Sequence, residues 1–194
     1  MDTNGANRAN WDPDYDLKKR PLWPYVKSTG VYKCPSDHST VSFLGVIHPR
    51  LLTMSMNLYM GGFAPGDDGG WGFAAPYMIF HKMTDITQPT MMFVFLDMRE
   101  DYVNWSNFMT DMTGYIAGPS PNNPGAYQLE DMPGFYHNFG CGFSFADGHS
   151  ELHRWKNGAT TPPLGANVSD QEPTTKLAYD NDVFWLQQHS TVPK

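Results

Sequence analysis

The chain is poor in cysteine: among its 194 residues only Cys34 and Cys141 carry a thiol. Two thiols cannot build the cross-linked framework of a small secreted scaffold, and their spacing is not that of a zinc finger. Whether they bridge depends on their Cα atoms coming within ~7 Å, which spacing alone does not decide. Charge is scarce as well, at 17% Asp, Glu, Lys and Arg. The net charge of -7 argues against nucleic acid as a partner, because phosphate binding needs clustered cations. The one basic run, Lys18-Lys19-Arg20, reads as a solvated turn. No apolar run approaches the roughly 18 residues that span a bilayer, and no signal peptide is visible.

Glycine and proline, by contrast, are abundant at 18 and 16 residues, beside 14% aromatics in a hydrophobic content of 40%. That composition is globular, and the length suits one domain. Frequent turn formers with few helical runs predict an α+β fold of short antiparallel strands, long Gly/Pro-rich loops and a short C-terminal helix. Residues 1–20, polar and rich in Asn and Asp, read as an extended lead-in, and residues 21–194 as a single head domain.

Local patterns place the elements. Residues 22–31 suit one or two helical turns, and 31–34 a short strand stopped by Pro35. Residues 51–59 and 77–80 read as further strands. The run Met-Met-Phe-Val-Phe-Leu at 91–96 lacks polar alternation and predicts a central strand buried on both faces. Residues 143–155 predict a hairpin turning at Asp147-Gly148, and 180–188 a helix capped by Asp180 or Asn181.

His137 is followed by nine residues and then Asp147-Gly148, within Phe145-Ala146-Asp147-Gly148-His149-Ser150-Glu151 leading to His153 and Trp155. This resembles the bacterial pilin-like, pseudopilin-type family that carries a prepilin-type processing-associated His-x9-Asp-Gly motif. Other blocks agree in order: Trp23-Pro24-Tyr25-Val26, Cys34-Pro35-Ser36-Asp37, Met54-Ser55-Met56-Asn57, Phe95-Leu96-Asp97 with Glu100-Asp101, and Asp182-Val183-Phe184-Trp185-Leu186. Met98 and Arg99 depart from the family's commoner order. The resemblance implies a pilin-like head and a structural or interaction role in a pilus-like or type II secretion pseudopilus assembly. It makes Cys34, Pro35, Asp37, His137, Asp147 and Gly148 motif residues with structural roles. It also implies an upstream apolar helix of roughly two dozen residues, missing from this chain, as the sole membrane contact and the contact with other subunits. Location would be extracellular or periplasmic, anchored in the inner membrane before assembly.

The residues themselves leave several chemistries open. His137 can pin its loop onto the hairpin carrying Asp147, where Asp147 makes an Asx-turn and Gly148 takes a positive φ. A transition metal is the rival, with His137, Asp147, His149 and His153 as ligands. Calcium would draw on Asp67 and Asp68, on Asp97, Glu100 and Asp101, or on Asp180 and Asp182. A hydrolase of polysaccharide or another polymer would need paired carboxylates, Asp97 with Glu100 or Asp147 with Glu151. Trp71, Tyr102 and Trp105 would then stack on sugar rings, which also makes extracellular polysaccharide a partner for a non-catalytic head. No Gly-x-Ser-x-Gly elbow is present, and no residue is assigned a catalytic role.

Overall fold

The computed structural model describes residues 4–62, 76–115, 122–165 and 175–194. The apolar run at 91–96 supplies most of the middle strand of its main sheet. In chain order the strands are β1 (Thr40–Phe43), β2 (Val46–Pro49), β3 (Met54–Asn57), β4 (Phe93–Asp97), β5 (Asn107–Phe108), β6 (Gln128–Leu129), β7 (Gly140–Phe145), β8 (Ser150–Arg154) and β9 (Thr175–Lys176). The α-helices are α1 (Trp23–Val26) and α2 (Asn181–Ser190). The main sheet is five-stranded in the order β5-β3-β4-β7-β8, with β1-β2 and β6-β9 as separate pairs. β4 runs antiparallel to both β3 and β7, and β5 lies parallel to β3. The fold is α+β.

The core gathers on β4 and β7. Phe93, Leu96, Phe143 and Phe145 are buried together with Phe108, and Phe93 meets Phe143 edge-on at 5.3 Å. Helix α2 starts where Asp180 accepts a hydrogen bond from the Asp182 amide at 2.8 Å, which satisfies a donor that the first turn leaves open. Val183, Leu186, Gln187 and Ser190 are then buried at helical spacing. Strand β8 is polar and mostly exposed, which suits an edge strand that must not recruit another chain. Among the described residues no helix is long and apolar enough to cross a membrane.

Three local expectations are corrected. The lead-in is not extended: residues 4–20 fold into turns and two short 3-10 segments. Leu17 enters the core, and the Trp11 ring stacks on His48 at 4.1 Å, because apolar bulk this large is costly to leave in water. Residues 31–34 make no strand; a 3-10 turn at Thr29–Tyr32 takes their place. Residues 77–80 are reduced to a bridge between Tyr77 and Pro193. A further hairpin, β1-β2, turns at Leu44 and Gly45, which both take positive φ, at 50° and 80°, the conformation of a tight two-residue loop.

Candidate functional site

The site forms where three segments reach one end of the main sheet. Asp97 closes β4, one residue beyond the Leu96–Phe143 pair of the β4–β7 ladder. The Gly142 amide donates to Asp97 Oδ2 at 3.1 Å. A Cβ at position 142 would also sit 3.1 Å from that oxygen, so glycine is what lets the carboxylate lie against the strand.

The second segment is clamped by Thr53, the residue before β3. Its amide donates to Tyr32 O at 3.0 Å, and its hydroxyl accepts from the Cys34 amide at 2.8 Å. A turn follows in which the Asp37 amide donates to Cys34 O at 3.0 Å, and Asp37 Oδ1 accepts from the Ser39 amide at 2.6 Å. The Cys-Pro-Ser-Asp block is therefore a turn that aims a thiol at the end of β4. The third segment brings His137, whose amide donates to Gly140 O at 3.2 Å across Asn138 and Phe139, both at positive φ.

Their side chains meet. Cys34 Sγ lies 3.3 Å from His137 Nε2, and the same nitrogen lies 3.2 Å from Asp97 Oδ2. The three atoms are all within 4.8 Å of one another. Cys34 and Asp97 are each 1% exposed, whereas the His137 side chain is 30% exposed and connects the cluster to solvent. Burial pushes the Cys34 thiol up; the Ser36 amide opposes this and the Asp97 charge adds to it. Burial also raises Asp97, outweighing the Gly142 amide and His137. Asp97 Oδ1 is buried with no hydrogen-bond partner. Cys141 donates from Sγ to Asp97 O at 3.1 Å, and both cysteines are free thiols. Tyr136 borders the cluster, its hydroxyl accepting from the Glu100 amide at 2.8 Å; burial and the negative charge of Asp37 and Glu100 raise its pKa.

The other predicted site residues lie elsewhere. His137 does not pin its loop to Asp147: the two flank opposite ends of β7, a six-residue strand that spans ~20 Å at ~3.3 Å per residue. Asp147 instead accepts from the amide and Nδ1 of His149, at 3.1 and 2.6 Å, beside Gly148 at φ 94°. His153 stacks on Trp185 with ring centroids 3.8 Å apart. The set His137, Asp147, His149 and His153 thus does not converge on one ion.

The acidic group is dispersed in the same way. Asp101 is gripped by Arg99 at 2.7 and 2.5 Å, while Asp97 faces His137. Tyr102 is buried under the Arg99 guanidinium, so its ring is closed to a sugar; Trp105 is 79% exposed. Asp180 and Asp182 are committed to capping and docking α2. Trp71, Asp67 and Asp68 lie outside the described residues.

The cluster's chemistry follows from its single shared nitrogen. A cysteine nucleophile needs its histidine oriented by an acid on the opposite ring nitrogen. Here thiol and carboxylate approach the same Nε2, so the imidazole cannot relay a proton between them, and the thiol is buried with a raised pKa. One surface cleft of about 350 Å³ is lined by Asn122, Pro124, Tyr127, Tyr179, Asn181 and Phe184. Another of about 420 Å³ lies beside Phe139, Arg154, Trp155 and Lys156. Neither is lined by an acid. Thiol, imidazole and carboxylate around one point are, however, a ligand set for a transition metal.

Sequence reasoning singled out Cys34, Asp97 and His137 separately and missed that they meet. The signal was their common membership of the motif blocks. No protein-family profile, curated protein or solved structure matches the chain.

Proposed function

We propose that the chain is the head of a structural and interaction subunit in a pilus-like or type II secretion pseudopilus assembly. The observation that carries this reading is where the motif blocks go. Asp147 and Gly148 lie exposed at the other end of β7, but Cys34 and Asp37, Ser55 on β3 and Asp97 on β4 are buried around one end of the main sheet, where His137 joins them. Residues used this way hold loops onto a sheet; they do not present reactive groups to a substrate. The hydrolase alternative is not adopted, since each of its carboxylate pairs has a member already engaged, Asp97 by Gly142 and His137 and Asp147 by His149. A subunit role also fits the apolar groups left outside. Leu44 and Ile47 on the β1-β2 hairpin are 87% and 71% exposed, and Trp105 offers an aromatic face to a polysaccharide or a neighbouring subunit.

The test is carried out in the native host with the full-length gene product tagged at its C-terminus. It should appear in the sheared surface or periplasmic filament fraction and depend on the host's prepilin peptidase. A product released in soluble form, unchanged when the peptidase is deleted, would overturn the reading.

A further inference from the structure

We propose that Cys34, Asp97 and His137 bind one divalent transition-metal ion of the zinc type, with a fourth position open to water beside His137. Spacing is the first argument. Tetrahedral zinc with Zn–S of ~2.3 Å and Zn–N and Zn–O of ~2.0–2.2 Å separates sulfur from nitrogen by ~3.6 Å and nitrogen from oxygen by ~3.4 Å. The observed separations are 3.3 and 3.2 Å, each within tenths of an ångström of those values, and sulfur and oxygen lie within 4.8 Å of each other.

Proton arithmetic is the second. An imidazole nitrogen carries one hydrogen or one lone pair. If Nε2–H donates to Asp97, the Cys34 thiol meets a nitrogen that cannot accept from it. If Nε2 accepts from the thiol, its lone pair faces a carboxylate oxygen. The two contacts cannot both be full hydrogen bonds: at best one Nε2–H is shared between the carboxylate and the thiol sulfur, a weak acceptor. Asp97 Oδ1, on a side chain almost wholly buried, also has no partner, and an ion held by both carboxylate oxygens would satisfy it. A buried polar group in that state is expensive. A cation removes the conflict, because all three lone pairs then point at it.

Charge is the third. Thiolate and carboxylate supply two negative charges, which a divalent ion cancels inside a buried site. On binding, the Cys34 S–H bond breaks heterolytically, its proton leaves to solvent and the sulfur pair bonds the metal. His137 binds through the Nε2 lone pair with its ring proton on Nδ1. No oxidation or reduction is involved. The donors also select the ion: thiolate and imidazole favour zinc-type metals over calcium or magnesium, which take oxygen ligands. The Gly142 amide on Asp97 Oδ2 is an outer-shell contact that fixes the carboxylate's orientation. The proposal does not depend on assembly into a filament. It replaces the metal set built around Asp147 and His149.

The test is titration of the purified, reduced, metal-stripped chain with cobalt(II), followed by competition with zinc(II). A single equivalent should bring up a thiolate-to-cobalt charge-transfer band and the intense visible bands of tetrahedral cobalt, both abolished by zinc. Cys34→Ser should lose the charge-transfer band. Asp97→Asn and His137→Gln should weaken binding by more than the ~10–100-fold that loss of an outer-shell partner costs. Cys141→Ser and His149→Ala should bind as wild type. No charge-transfer band in the wild type would overturn the proposal, and so would a band that survives Cys34→Ser or disappears with Cys141→Ser. Circular dichroism of each variant accompanies its titration, and where a cysteine variant does not fold, alkylation mapping on the folded wild type decides: bound zinc should protect Cys34, and a Cys34 that zinc leaves unprotected would overturn the proposal.

Discussion

His153 lies flat against Trp185, their ring centroids 3.8 Å apart, and Trp185 in turn stacks on His189 at 4.0 Å. Burial in this column lowers His153 to about 4, from 6.5, with Asp182 only partly opposing it. The folded chain therefore keeps the ring neutral where the unfolded chain protonates it. The stabilising contribution is complete above pH ~6.5 and is lost as pH falls toward ~4. Screening at a partly exposed ring leaves ~1–2 kcal/mol of the effect. Urea unfolding of wild type and His153→Phe between these limits checks it: wild type should lose that much more stability on acidification. Parallel curves would refute the assignment.

Among the described residues Arg99 is the largest fully buried side chain. It holds Asp101 through two hydrogen bonds, donates to Pro162 O at 2.9 Å and to Pro163 O at 3.1 Å, and lies over the rings of Tyr102 and Phe135. Removing the cation strands a largely buried carboxylate, so Arg99→Leu should cost ~3–5 kcal/mol. Arg99→Lys keeps the charge but loses the planar fork, and should cost less while remaining clearly destabilising. Denaturant midpoints measure both, and a loss below ~1 kcal/mol for the leucine variant would contradict the account.

Asp182 docks α2 onto the loop that follows β8. Its Oδ2 accepts from the Lys156 and Asn157 amides, both at 2.8 Å, and from the Thr160 hydroxyl at 3.2 Å. Asp182→Ala leaves buried donors without an acceptor and should cost ~3 kcal/mol, or a Tm lower by ~6–12 °C at this chain length. Asp182→Asn retains one acceptor oxygen and should fall between the two. Equal melting of the alanine variant and wild type would show that the helix is held by its apolar face alone.

Gly142 gives a steric test of the site's construction. Gly142→Ala would place a Cβ 3.1 Å from Asp97 Oδ2, whereas a Cβ at Gly158 would meet nothing within 4 Å. The first substitution should cost ~1–2 kcal/mol by overpacking and the second almost nothing. Thermal melts of the two variants side by side check the contrast, and equal melts would remove the reason given for glycine at position 142.

Much of the frame was legible in the chain. The run at 91–96 announced the middle strand, because a segment covered on both faces needs no polar alternation. Asp147-Gly148 marked the hairpin turn, and Asp180 the start of α2, since both signals act within a few residues. The short elements were not legible in this way. Residues 31–34 carry strand-like side chains, yet Thr53 engages Tyr32 O and the Cys34 amide instead of a ladder partner. Residues 4–20 look polar, yet Leu17 and Trp11 are drawn in by partners that lie far along the chain.

The α+β class, the central strand, the β7-β8 hairpin and the capped terminal helix follow from the order of the residues alone. Periodicity and turn chemistry are local properties, so no distant partner was needed to read them. The company His137 keeps, by contrast, depends on long-range packing. Counting residues to Asp147 measures distance along a strand, and a strand carries its two ends apart. Antiparallel pairing of β4 with β7 and the clamp at Thr53 bring Asp97 and Cys34 to the end of the sheet where His137 lies. Neither operates within the span that a local pattern can register.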